Sequence, residues 1–294
     1  MLAALIPTVL ITAIGIILIA SGGSKNFAVV GGILVLAFCA TAIAGYTLGT
    51  IFVTRGANLA AFQNEFLSSV SHELRTPLTS ILMFIETLRE DRLQSVEEKQ
   101  RCLAIVHREL TRLDGLVGKL IELSKIESRH VAFARSPVRV DDLVGDALSA
   151  FEAMKFGSKA DAEIDVRSDL EPDLLVYGDR SALAGALGNL LSNAWKYTRP
   201  LDKKIEIRAR ADLKTVSISV SDNGVGVPRM EQAAIFEKFE RGSASGETGS
   251  GGSGLGLAIV RAVVEAHRGR VEVRSQVDHG ARFRIVLPRY RGAT

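Results

Sequence analysis

One histidine sits in an unusual setting, the run Ser71-His72-Glu73-Leu74-Arg75-Thr76-Pro77-Leu78-Thr79. An imidazole near neutral pH can act as a nucleophile or exchange a proton. Alone, a histidine on a helix flank is an ordinary surface residue. A second constellation is Asn189, Asn193, Lys196 and Tyr197, whose spacing places all four on one side of a helix. Asparagine carbonyls suit Mg²⁺, a hard cation that takes oxygen ligands, although on this helix alone a solvated face is the simpler account. Lysine suits phosphate as a point charge. A third is Asp222-Asn223-Gly224-Val225-Gly226, a carboxylate followed by glycines that let the backbone approach a flat ligand. The fourth is Gly252-Ser253-Gly254-Leu255-Gly256-Leu257, a glycine-rich lead into an apolar helix. Free N–H groups and the helix dipole make such a start a phosphate site. No Gly-Lys-Ser/Thr of a P-loop occurs, and the preceding residues do not read as the strand of a dinucleotide fingerprint.

These residues need elements to hold them. Leu67, Val70, Leu74, Leu78, Ile81, Ile85 and Leu88 step by three or four, the stripe of an amphipathic helix. Leu103, Val106, Leu110, Leu113, Val117 and Leu120 alternate three and four strictly, the heptad signature of a coiled-coil seam. Ser95 and Glu98 form a capping box pattern before that second helix. Two helices joined by a short turn cannot bury both stripes, whereas a two-fold dimer buries them in a four-helix bundle. His72 falls between Val70 and Leu74 and should project to solvent, and Pro77 predicts a bend. His107 has no such context and reads as surface.

After Pro137 the pattern becomes mixed α and β. A helix is predicted over 141–156, short strands over 164–166 and 174–176, and a helix capped by Asp179 that runs to about Tyr197. Lys203 to Arg210 and Lys214 to Ser221 alternate as hairpin strands, and 271–274 and 283–287 close the domain. Residues 242–253 are rich in Gly and Ser, too polar to order themselves, and predict a mobile lid.

The chain of 294 residues has a mean hydropathy of +0.20, and the cause is local. Lys25 is the only charged residue before Arg55. Residues 1–20 and 27–53 are each long enough to cross a bilayer core of about 20 helical residues. A cleaved signal peptide is the alternative for the first run, but it lacks a basic n-region. A membrane hairpin with a short outer loop is expected, with everything after Arg55 cytoplasmic. Such a loop is too short to fold as a ligand-binding domain. The whole chain carries 36 Lys and Arg against 33 Asp and Glu, with no basic stripe of the kind nucleic acid requires. Cys39 and Cys102 have no partner pattern and read as reduced thiols.

Taken together, the runs resemble the H, N, G1, F and G2 boxes of sensor histidine kinases, in that family's order over roughly residues 64–288. The resemblance implies that His72 accepts phosphate from ATP, with Glu73 polarising its imidazole and Thr76 orienting water for dephosphorylation. It implies that Asn189, Asn193, Lys196 and Tyr197 bind the nucleotide, with Asn193 as the Mg²⁺ ligand, and that Asp222 accepts a hydrogen bond from the adenine amino group beside Gly224 and Gly226. In Ile235-Phe236-Glu237-Lys238-Phe239-Glu240-Arg241, Phe236 and Phe239 would anchor the lid and Arg241 would reach the γ-phosphate. Gly252, Gly254, Leu255 and Gly256 would cradle the nucleotide. Ser253 stands where the family often has threonine.

The implied architecture is a membrane helical hairpin (1–53), a juxtamembrane linker (54–63), an all-α dimerisation hairpin (64–132) and an α/β sandwich ATPase domain of the Bergerat type (133–294). The implied reaction forms phosphohistidine in a membrane-bound homodimer. Phosphate then passes to an aspartate of a separate response regulator, since no receiver pattern follows Pro288. A clamp ATPase would share the N and G boxes but lack the histidine run. A nucleotide-binding scaffold would not need His72, Asn193, Asp222 and Arg241 together.

Overall fold

The computed structural model describes residues 26–90, 93, 95–128, 132–156, 164–198, 203–243 and 252–291, with Ala13, Ile16, Ile17 and Ala20 ahead of them. The chain forms two compact units, Met1–Ser68 and Ser69–Thr294. The first described helix, α1 (Asn26–Arg89), includes residues 54–63, so the expected linker is helical. In the first unit, Gly31–Thr50 is long and apolar enough to cross a membrane, with a mean hydropathy of 1.8. Its threonine hydroxyls are satisfied within the helix. Thr41 Oγ1 donates to the Phe38 carbonyl at 2.8 Å and Thr47 Oγ1 to that of Ile43 at 2.9 Å. Most of the expected first span and all of the loop at 21–25 lie outside the described residues.

The second unit begins with a helical hairpin. The helix continues through Pro77, which is buried. The second arm, α2 (Val96–Glu127), opens with the expected capping box: Glu98 N–H donates to Ser95 Oγ at 3.1 Å and Ser95 N–H to Glu98 Oε2 at 3.2 Å. Ile81 and Cys102 are buried, and the Cys102 thiol donates to the Phe84 carbonyl at 3.4 Å. The heptad stripe behaves otherwise. Leu103 is 56% exposed and Leu110 48%. A different face of α2 is covered, where Leu116 and Leu123 join the core of the following domain.

That domain is a mixed sheet faced by helices. β1 (Ser136–Arg139), which the sequence reading missed, pairs antiparallel with β3 (Leu175–Gly178). Four residues with Pro137 among them give too little alternation to read as a strand. The larger sheet has the order β2-β4-β5-β7-β6, comprising β2 (Ile164–Leu170), β4 (Lys203–Ala211), β5 (Thr215–Asp222), β6 (Arg270–Ser275) and β7 (Ala281–Pro288). Among the described residues of this sheet, only the β2–β4 pairing is parallel. β4 and β5 alternate as their sequences predict, with Ile205, Ile207, Ala209, Val216, Ile218 and Val220 inward.

Helices α3 (Val140–Phe156), α4 (Arg180–Tyr197) and α5 (Gly256–Ala266) cover that inner face. Asp179 caps α4, its Oδ1 accepting from Ala182 N–H at 3.0 Å. The same residue's own N–H donates to His267 Nε2 at 3.0 Å, while His267 Nδ1 lies 2.7 Å from the Val263 carbonyl. The ring is therefore neutral, with its proton on Nδ1. It fastens the start of α4 to the end of α5, and burial holds its pKa below the usual histidine value.

Candidate active site

Helix α4 builds one wall of a cleft. Leu183, Leu187, Leu190 and Leu191 are fully buried on its inner side. Asn189, Asn193, Lys196 and Tyr197 fall on the opposite side and line the cleft, as their spacing predicts. Among the described residues, no hydrogen bond engages the side-chain amides of Asn189 or Asn193. The free carbonyl of Asn193 is an oxygen donor of the kind a Mg²⁺ ion would take. Among the described residues there is no cluster of three His, Cys, Asp or Glu that could form an all-protein metal cage.

The opposite wall is the end of β5. Asp222 Oδ1 accepts from Gly224 N–H at 2.9 Å and from Ala281 N–H at 3.2 Å. Among the described residues nothing donates to Oδ2, and Asp222 lines the cleft. Burial pushes its pKa up to about 6, against the opposing pull of the two backbone N–H groups. The chain then turns sharply. Val225 N–H donates to the Tyr197 carbonyl at 3.2 Å, which joins this turn to the end of α4. Gly226 has φ +74°, and a Cβ there would lie 2.1 Å from the Gln276 carbonyl oxygen. Gly224 packs against Tyr197 rather than lining the cleft.

The rim comes from the segments on either side of residues 244–251. The expected lid falls largely on those residues, outside the described ones. Gly252, Gly254 and Gly256 line the cleft, which encloses about 950 Å³ including its open mouth. Leu255 does not line it. It is completely buried, because α5 begins there and needs an apolar anchor beneath its first turn. Phe236 and Phe239 also lie behind the cleft surface. Phe236 meets Phe283 edge-on at 6.3 Å, and Phe239 joins the core from a left-handed backbone position at φ +63°.

The histidine run lies elsewhere. His72 is exposed and lines a shallow hollow with Arg75, Thr76, Thr79, Ser80 and Met83. Thr76 Oγ1 donates to the His72 carbonyl at 3.2 Å. Glu73 does not hold the His72 ring here. Its Oε2 accepts from Arg241 Nη2 at 2.7 Å, and Arg241 also lines the cleft. Lys238, three residues earlier, donates to Glu127 of α2 at 2.6 Å. The segment expected to serve the nucleotide thus also grips the hairpin.

Two features of the site escaped the sequence reading. Lys119 of α2 lines the cleft. Its position in a helix read only as a dimer seam gave no signal. Glu231 also lines the cleft, and its Oε2 accepts from Ser243 N–H at 2.9 Å, steadying the start of the rim.

Comparison with known proteins agrees with this geometry. Residues 62–129 match the His Kinase A (phospho-acceptor) domain, and residues 178–291 match the Histidine kinase-, DNA gyrase B-, and HSP90-like ATPase family. The chain is 35% identical over 232 residues to the sensor-like histidine kinase SenX3 of Mycobacterium tuberculosis, covering 79% of this chain and 55% of that protein. It is 35% identical over 232 residues to the phosphate regulon sensor protein PhoR of Pseudomonas aeruginosa, covering 79% of this chain and 51% of PhoR. Among solved structures, histidine kinase ThkA in complex with response regulator protein TrrA aligns with a TM-score of 0.63 at 25% identity, covering 77% of this chain and 61% of that one. The chain therefore spans about half the length of the curated relatives it matches. A phospho-acceptor hairpin followed by a histidine-kinase-type ATPase domain, aligned across both with sensor kinases, makes this protein a member of the sensor histidine kinase family.

Proposed function

We propose that this protein is a membrane-bound homodimeric kinase that transfers the γ-phosphoryl group of ATP to His72. The observation that carries this reading is the 2.7 Å bridge from Arg241, at the nucleotide cleft, to Glu73, the residue beside His72. It ties the cleft's rim to the acceptor helix within one chain.

ATP binds with its adenine amino group donating to the open Oδ2 of Asp222. Its phosphates lie along Asn189, Asn193 and Lys196 toward the glycine-lined rim, and Tyr197 lines the same wall. Asn193 would hold a Mg²⁺ ion, which would supply charge neutralisation for the phosphates. Glu73, once free of Arg241, takes the proton from one ring nitrogen of His72. The other nitrogen attacks the γ-phosphorus, a P–N bond forms, and the bond to the β–γ bridging oxygen breaks with ADP leaving. Arg241 stabilises the charge on the transferring group. The phosphoryl group then passes from the His72 nitrogen to an aspartate of a separate response regulator, the P–N bond breaking as the P–O bond forms, and Thr76 orients water for hydrolysis of that aspartyl phosphate to inorganic phosphate. The complex of ThkA with TrrA supports a partner of this kind.

Gly31–Thr50 serves as a membrane span. The ATP-dependent domain then faces the cytoplasm. A γ-phosphate-labelled ATP assay with Mg²⁺ tests the central claim. Wild type should acquire acid-labile, base-stable label and His72→Gln none. Equal labelling of both would overturn it.

A further inference from the structure

Lys119 stands three residues after Leu116 and four before Leu123, so the three side chains share one face of α2. Leu116 is 8% exposed and Leu123 2%, both buried where α2 packs on the catalytic domain. The stem of Lys119 is therefore held on the covered face, and the residue lines the nucleotide cleft together with Lys196. One lysine comes from the hairpin and the other from the catalytic domain.

Two ammonium groups in one cleft are unfavourable unless an anion lies between them. Burial lowers the pKa of both, and for Lys196 the charge of Lys119 adds to that effect. Glu122, one turn along α2, offsets Lys119 in part, yet burial raises its own pKa. Of the carboxylates that line the cleft, Asp222 lies at the end of β5, Glu231 accepts from Ser243 N–H, and Glu240 adjoins Arg241. Among the described residues, no salt bridge joins Lys119 or Lys196 to a carboxylate.

We propose that Lys119 is a nucleotide-binding residue: its ammonium group, with that of Lys196, grips the polyphosphate of a nucleoside di- or triphosphate in the cleft. This rests on the nucleotide reading of the cleft given above. A nucleotide held in this way bridges the catalytic domain to the hairpin of its own chain. Binding of the nucleotide and docking of the domain on α2 then become coupled, each strengthening the other.

The test is a titration of the full-length protein in membrane mimetic with AMP, ADP and ATP at constant Mg²⁺. Wild type is compared with Lys119→Gln, which keeps most of the stem, and Lys119→Arg, which keeps the charge. The expected result is about a tenfold weaker affinity of Lys119→Gln for ATP, a smaller loss for ADP and the least for AMP, with Lys119→Arg near wild type. Electrostatic attraction should scale in this order with ligand charge. Unchanged affinity for all three ligands in Lys119→Gln overturns the proposal while leaving the nucleotide reading intact. An equal loss for all three, with a lowered melting temperature in the absence of ligand, also overturns it, because Lys119 then supports the fold. Wild type that binds none of the three removes the nucleotide reading, and this inference with it.

Discussion

Phe239 and Gly254 meet backbone to backbone at the two ends of the rim. Phe239 N–H donates to the Gly254 carbonyl at 3.2 Å, and a Cβ on Gly254 would lie 2.6 Å from the Phe239 backbone. Both residues adopt left-handed conformations, at φ +63° and φ +67°. The two described segments on either side of residues 244–251 are thereby fastened to each other.

Gly254→Ala should break this fastening. A left-handed alanine costs about 1–2 kcal/mol before any clash is counted, and the backbone of Phe239 cannot swing aside as a flexible side chain could. Nucleotide affinity should fall more than tenfold, with a lowered melting temperature. Gly252→Ala is the contrast, because among the described residues its Cβ would meet only the Tyr197 hydroxyl, at an ordinary 3.8 Å. Titration of both variants with ADP separates them, and equal affinities would contradict the assignment.

The proposed contact of Asp222 with adenine predicts that nucleotide binding depends on pH. Burial pushes its pKa up to about 6, so below that pH the carboxyl carries a proton and is a weaker acceptor for an adenine amino group. Affinity should drop about tenfold between pH 7 and pH 5, following the ionised fraction. Asp222→Asn should bind weakly and lose this step, which isolates it from the titration of the phosphates themselves. Stability without ligand runs the other way. Between about pH 4 and 6 the folded state keeps a proton that the unfolded chain has released, so this group's contribution is full below pH 4 and is lost as pH rises through 6.

The Glu73–Arg241 bridge cannot be a large source of stability. Both side chains are partly exposed, and such pairs contribute about 0–1 kcal/mol. A double-mutant cycle with Glu73→Gln and Arg241→Ala in urea unfolding should give a coupling within that range. Labelling of His72 should respond far more strongly, with Glu73→Gln slowing it by about 10²–10⁴-fold if the carboxylate acts as a base. Single-turnover labelling at wild-type speed in Glu73→Gln would show that the carboxylate serves only the bridge.

The exposed heptad stripe calls for a second copy of the chain. Leu103, Leu110 and Val117 are 38–56% exposed in one chain, although their spacing is that of a seam. Leu110→Glu should yield monomers by light scattering with helical content unchanged, since the chain's own core lies on the Leu116–Leu123 face. A dimer that survives this substitution would place the interface elsewhere.

Much of this was legible in the sequence. The capping box at Ser95 and Glu98, the strand alternation of 203–210 and 214–221, and the cleft face of α4 are local patterns set by residues a few positions apart. Local geometry alone turns them into helix caps, sheet faces and a row of side chains. Other features depend on how elements pack. The sequence treated Gly252 and Gly254 alike, and only the approach of Phe239 tells them apart. The raised pKa of Asp222 reflects burial, which no local pattern states. Glu73 and Arg241 are 168 positions apart, and Lys119 lies on a helix that the heptad pattern assigns wholly to the dimer. A helix has several faces, and periodicity names the most regular one. Which other face is covered, and what charge is carried into a cleft there, is decided only when distant segments pack together.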